Sequence, residues 1–165
     1  MRYTIDRKNE KGTSMAEFAV VALVFFMIIF GIIEFGRLLY THNALTDAAR
    51  RGARYAVLHE QDNPCVVNVV IYGETHVDPA ALGCPPLAGA QPLINGLGDG
   101  NVLVTYAGAS GFAYGMNLGS ATVIIRNYDF NLSIPILRRT LRMPAYTTTL
   151  PAENAGFVPA PIVGP

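Results

Sequence analysis

The chain has 165 residues, of which 51% are hydrophobic and 15% are charged. Twelve basic and twelve acidic side chains give a net charge of zero, so no bulk charge draws the chain to nucleic acid phosphates. A chain of this length forms about one domain, and its apolar content is too high for a disordered protein. These values exclude a dedicated polyanion binder and two large independent lobes, and no nucleic acid partner is expected.

The apolar excess is concentrated near the N-terminus. Residues 18–33 are sixteen consecutive uncharged residues, and Glu17 is the one charge between Thr13 and Ile33. A helix over residues 13–33 is roughly 31 Å long, which is close to the hydrocarbon thickness of a bilayer. We therefore predict a single membrane span over about residues 15–36. The alternatives are a buried core helix and the apolar part of a cleaved secretory signal, which is usually shorter.

Charge and cysteine placement predict the orientation. The leader, residues 1–12, carries an excess of basic residues, which favours a cytoplasmic N-terminus and places the rest of the chain outside. Cys65 and Cys84 both follow the apolar run, and an oxidising compartment would allow them to close a loop of about 20 residues. Two unpaired buried thiols are the alternative, because a sequence does not give the separation of the two residues.

The helical pattern continues beyond the predicted span. Apolar residues recur at helical spacing as far as Val57, and the turn-prone residues 61–64 follow, which predicts one helix from about Ser14 to about Leu58. Gly31 and Gly36 would allow a neighbouring helix to approach closely. Three arginines in the outer half suggest either a phosphate site or, preferably, a solvated face: Arg50, Arg51 and Arg54.

The remaining chain favours strands. Residues 66–72, 102–106, 121–132 and 146–150 are rich in β-branched and aromatic residues. A long loop is predicted over residues 78–100, and irregular structure from Pro151 onward. Residues 134–144 fit either a segment near lipid headgroups or a loop between strands. The predicted fold is α+β, with a small antiparallel sheet domain, residues 61–165, packed on the outer part of a long helix, residues 13–60.

The residue types required for catalysis or metal binding are poorly represented. The three histidines and two cysteines lack metal-ligand spacing, and residues 96–100 fit neither a dinucleotide-binding nor a P-loop pattern. A secreted enzyme would need convergent titratable groups, and Asp99 is the one charged side chain among residues 79–119. We predict no enzyme, no metal site and no cofactor.

Glu17 is the unusual residue of the apolar helix, because a carboxylate within a membrane span requires a cationic partner. Cleavage after Gly12 would make Glu17 the fifth residue of the new chain. The new amino group of Thr13 in a neighbouring subunit would then supply the positive charge, since a helix does not place its own first residue on its fifth side chain without unwinding.

These residues resemble a known family. A short basic leader ending in Gly12, with Glu17 five positions later and a long apolar helix, is similar to a type IV prepilin signal, and the pair Glu17-Phe18 is similar to the Glu-Tyr pair of the tight-adherence (Flp) subgroup. Residues 31–57 resemble the TadE-like minor pilins of that system, and residues 121–155 resemble the last strands of the family.

The resemblance implies a role for each matching residue. Prepilin peptidase would cut between Gly12 and Thr13, and Glu17 with Phe18 would serve processing or subunit assembly. The protein would be a minor pilin or pseudopilin of the bacterial inner membrane, needed for assembly of tight-adherence pili and supporting surface adhesion and biofilm formation. Its partners would be the peptidase, other tight-adherence pilins, the inner-membrane assembly machinery and the lipid bilayer.

The sequence also fits two further interpretations, one of a charged pair and one of the whole chain. Glu34 and Arg37, one helical turn apart, fit an interfacial ion pair at the outer membrane edge, with a subunit-contact role as the alternative. The chain also fits a single-pass membrane protein whose outer domain binds a ligand.

Overall fold

A single long helix dominates the structure, a computed structural model that describes residues 10–107, 112–113, 116–117, 119–133 and 139–151. Helix α1 comprises Glu10–Leu58. It ends at the predicted residue but begins about four residues before the predicted start, because Gly12 costs a helix only about 1 kcal/mol and does not stop it. Apart from residues 10–12, the predicted leader lies outside the described residues, as does the tail after Pro151.

The two halves of α1 differ in their surroundings. In the most apolar part of the helix only 6% of the residues are buried, and large side chains such as Phe18, Val21 and Ile32 remain at least two-thirds exposed. A core helix of a soluble protein would be mostly buried. Within the described ranges, α1 is the one helix long and apolar enough to cross a membrane.

The sheet domain is built from short antiparallel strands. In chain order they are β1 Val102–Ala107, β2 Phe112–Ala113, β3 Met116–Asn117, β4 Ser120–Ile125, β5 Asp129–Asn131, β6 Thr140–Arg142 and β7 Tyr146–Pro151. The main sheet has the order β1-β4-β7, while β2 pairs with β3 and β5 pairs with β6. The predicted α+β fold, with a long apolar helix followed by a small antiparallel sheet domain, is confirmed.

Residues 66–72, predicted as a strand, are helical. Helix α2 comprises Cys65–Tyr72. The Asn63 side chain accepts a hydrogen bond from the Cys65 N–H at 2.8 Å, and Gly73, with φ 88°, donates its N–H to the Val69 carbonyl. Residues 66, 69 and 70 are fully buried, at helical spacing. Burial against α1 therefore outweighs the β-propensity of the valines.

The predicted strand over residues 121–132 is interrupted. It forms β4 and β5, and residues 126–128 between them belong to neither strand. Asn127 has φ 57°, a left-handed conformation that asparagine tolerates better than most residues. The change of direction at Asn127 allows β5 to leave the main sheet and pair with β6. Residues 134–138 of the ambiguous segment lie outside the described part, and Thr140–Arg142 forms β6.

The core lies between the outer half of α1, α2 and one face of β4. Small residues line α1 here, so the backbones approach closely: Ala48, Ala49, Gly52, Ala53 and Ala56 are buried. At Gly52 an added Cβ would overlap Val70 Cγ2 and lie 3.5 Å from Val123 Cγ1. Gly52 is thus the point at which α2 crosses the long helix, rather than only a weak position in it.

Candidate functional site

The predicted processing and assembly residues lie on the free part of α1. Gly12 and Thr13 are within its first turns, and Glu17 and Phe18 follow one turn later, all four exposed. In the described part of the chain Glu17 forms no ion pair, and exposed apolar residues follow it on the helix. The structure therefore places an acidic side chain at the start of an apolar helical surface, well away from the sheet domain.

Glu34 and Arg37 form the predicted ion pair. Both carboxylate oxygens of Glu34 accept hydrogen bonds from Arg37 Nη1 at 2.9 Å. Glu34 is the buried charged residue of the described chain, with 9% of its side chain exposed, whereas 48% of the Arg37 side chain is exposed. This asymmetry shows that something other than Arg37 covers the carboxylate.

The segment that follows β5 covers the carboxylate. The backbone N–H of Ser133 donates to Glu34 Oε1 at 2.9 Å, and Arg37 Nη1 donates to Ser133 Oγ at 2.9 Å. The Arg37 guanidinium also lies 5.1 Å from the centre of the Phe130 ring, within cation–π range. The ion pair thus fastens the sheet domain to the helix where the apolar run ends. This contact was not predicted, because Ser133 lies 96 residues from Arg37 in the sequence.

A second contact joins α1 to the main sheet. His42 Nδ1 lies 2.8 Å from the Tyr146 hydroxyl, and the two rings meet edge to face at 5.1 Å. Tyr146 begins β7, so this contact fixes one end of that strand on the helix, about two turns beyond Glu34. Neither residue was singled out from the sequence.

Cys65 and Cys84 form a disulfide, as the first of the two sequence interpretations predicted, with their Cα atoms 4.9 Å apart. The bridge joins the start of α2 to the irregular loop. Asn68 adds a hydrogen bond from Nδ2 to the Cys84 carbonyl at 2.6 Å. The disulfide and this hydrogen bond together hold the loop that contains Cys84 against α2.

The outer arginines border an open groove of about 530 Å³. Its charged lining is mixed, because Asp47 and Glu74 face the same space as Arg50, Arg51 and Arg54. Arg51 is held by Asp47 at 3.4 Å and donates from Nε to the Val69 carbonyl at 3.4 Å. A surface with this balance of charge fits the solvated face predicted from the sequence better than a phosphate site.

Burial raises the pKa of four tyrosines in the outer half of the molecule above its ordinary value: Tyr55, Tyr106, Tyr128 and Tyr146. Two of their hydroxyls join elements: Tyr128 donates to the Asn95 carbonyl at 2.7 Å, and the Tyr146 hydroxyl lies 2.8 Å from His42 Nδ1. Among the described residues no group of three or more His, Cys, Asp or Glu side chains could hold a metal ion.

The first half of α1 is apolar and exposed, and an α+β domain covers its second half. This arrangement is typical of proteins in which one N-terminal helix anchors a folded domain. Residues 12–54 match the model of the TadE family, described as TadE-like protein. The match confirms the resemblance of the long helix to this family and includes Gly12, Glu17 and the Glu34–Arg37 pair; it does not extend to residues 121–155. This family is structural rather than enzymatic and implies a protein associated with the tight-adherence (Tad) pilus. Neither a curated protein nor a solved structure matches the chain.

Proposed function

We propose that the protein is a minor pilin or pseudopilin needed for assembly of the tight-adherence (Flp) pilus. Residues 15–36 of α1 hold it in the bacterial inner membrane, with the N-terminus in the cytoplasm and the sheet domain outside. Prepilin peptidase removes the leader, residues 1–12, by cutting between Gly12 and Thr13. The mature subunit, the helix of residues 13–60 with the domain of residues 61–165, then joins other pilins through the inner-membrane assembly machinery and supports surface adhesion and biofilm formation.

The observation that carries this proposal is the position of Glu17. Its carboxylate lies on an exposed apolar helix and forms no ion pair within the described ranges. Leaving such a charge unpaired in lipid or in a bundle of helices costs several kcal/mol. The amino group that cleavage creates at Thr13 of an adjacent subunit provides the missing cation. Pairing of the two groups sets the axial register of neighbouring helices, and Phe18 packs beside it.

The exposed apolar half of α1 supports the same assembly step. Its side chains are covered by lipid before assembly and by neighbouring helices afterwards. At Gly31 and Gly36 an added Cβ would meet no atom within 4 Å, so both positions leave room for a second helix to approach.

The test combines mass spectrometry with a charge-neutralising variant in the native host. The mature chain is expected to begin at Thr13, and Glu17→Gln is expected to abolish pili while the protein remains in the membrane. Glu60→Gln makes the same chemical change at an exposed residue beyond the end of α1 and should leave piliation intact.

Two results would contradict the proposal. One is a chain that still begins at Met1 while the peptidase is active. The other is normal trimming and fibre production in Glu17→Gln, which would favour a single-pass protein with a ligand-binding outer domain.

A further inference from the structure

The β5–β6 strand pair forms an apolar groove against α1 near the end of the apolar run. Phe130 and Leu141 face each other in the register of the two strands. With Leu132 they form one wall of a groove of about 190 Å³, and Gly31, Glu34, Phe35 and Leu38 of α1 line the other. Leu141 is 43% exposed and Phe35 is 59% exposed, so the described chain leaves the groove open.

The position of the groove along α1 can be compared with the layers of a bilayer. The helix from Thr13 to Ile33 is roughly 31 Å long and fills a hydrocarbon core of about 30 Å. The headgroup layer adds about 5–8 Å on each side, or roughly three to five helical residues. The helix therefore enters the outer headgroup layer at about residue 34. The groove, which α1 lines between Gly31 and Leu38, straddles the boundary between the hydrocarbon core and this layer.

The side chains around the groove fit that layer. Its lining is apolar apart from Glu34. Arg139 and Arg142 flank Leu141 in sequence and are exposed; Arg142 extends from the other face of the strand, where its Nη2 donates to Asn127 Oδ1 at 2.8 Å. Asp129, opposite Arg142 in the strand register, is the one acidic residue of the strand pair, so the pair and Arg139 together carry a net positive charge. Arginine side chains lay their stems on apolar surface and place their charged heads among lipid phosphates.

We propose that the β5–β6 pair is a membrane-contacting surface. The groove takes acyl-chain carbons of lipids in the extracytoplasmic leaflet, and Arg139 and Arg142 lie among the phosphates of their headgroups. In the membrane, before assembly, the occupant is lipid rather than a protein helix, because the groove adjoins the membrane span and combines an apolar lining with exposed arginines. This inference rests on the membrane span of the proposed function.

Tryptophan fluorescence tests the proposal, since the chain contains no tryptophan. The full chain with Leu141→Trp is placed in vesicles of phosphatidylethanolamine and phosphatidylglycerol whose acyl chains carry bromine, a quencher, at different depths. Emission is expected to fall more with bromine near the headgroup end of the chain than near its methyl end. Leu132→Trp, on the same wall of the groove, should give the same order if Leu141→Trp does not fold.

Two matched variants separate the possible failures. Phe25→Trp, in the middle of the apolar run, should show the opposite depth order, and Leu82→Trp, on the fully exposed part of the loop, should be quenched by aqueous iodide but not by bromine. An unquenched Phe25→Trp would refute the membrane span and the proposed function with it. Quenching of Phe25→Trp without quenching at residue 141 or 132 would overturn the membrane contact alone, and shielding from iodide in that case would identify protein as the occupant.

Discussion

Glu34→Gln should weaken the attachment of the sheet domain to the helix. The substitution keeps the shape of the side chain but removes the charge that faces Arg37 Nη1 and the Ser133 N–H, each at 2.9 Å. The carboxylate is 9% exposed, so solvent screens little of this interaction. Hydrogen bonds to charged groups contribute about 1.5–3 kcal/mol, and we expect a loss of about 2 kcal/mol in the free energy of unfolding.

Thermal unfolding of the detergent-solubilised protein measures this loss. For a domain of this size, about 2 kcal/mol lowers the unfolding midpoint by roughly 10 °C. Asp47→Asn is the matched control, because Asp47 pairs with Arg51 of the same helix at 3.4 Å but is 75% exposed. Such exposed pairs contribute about 0.5 kcal/mol or less. Equal midpoints for the two variants would show that Glu34 does not fasten the domain.

Gly52→Ala should destabilise the domain, since its Cβ would overlap the fully buried, stiff side chain of Val70; overpacking costs about 1–3 kcal/mol, against a gain in helix propensity of about 1 kcal/mol. Gly36→Ala, with no atom within 4 Å, should be neutral or stabilising in chemical denaturation, and a similar loss in both variants would contradict the close crossing at Gly52. Because burial raises the pKa of the four tyrosines named above, the folded state keeps their protons to a higher pH than the unfolded chain. Their contribution to stability is present below about pH 10 and is lost as the pH rises through the raised pKa values; a tyrosinate absorbance titration that is identical in buffer and in urea would refute this.

The fold was predictable where local patterns carry it. The long helix to Leu58 follows from continuous apolar and helical periodicity, and β1, β4 and β7 follow from β-branched residues at alternating positions. Residues 66–72 were predicted wrongly because their composition favours a strand while their burial pattern is helical. The start signal at Asn63 and the stop signal at Gly73 were both present in the sequence, and they indicate the helix better than the valines do.

The candidate site was predictable only in part, because its contacts differ in sequence range. The pairing of Glu34 with Arg37 follows from their spacing on one helix. Their contacts with Phe130 and Ser133 depend on where β5 turns away from the main sheet at Asn127, and no local pattern determines that. For the same reason the groove beside Leu141 could be found only once the strand pair had been placed against α1.

The attachment of the domain along α1 has a mechanical consequence. Contacts begin at Glu34, continue through His42 and Gly52, and reach the buried Val57 near the helix end, a distance of roughly 35 Å along the axis. Because the domain contacts α1 at several levels, it does not rotate about a single point on the helix. A pull that lifts the helix out of the bilayer therefore raises the domain by the same stroke, and a twist of the helix about its axis turns the domain through the same angle.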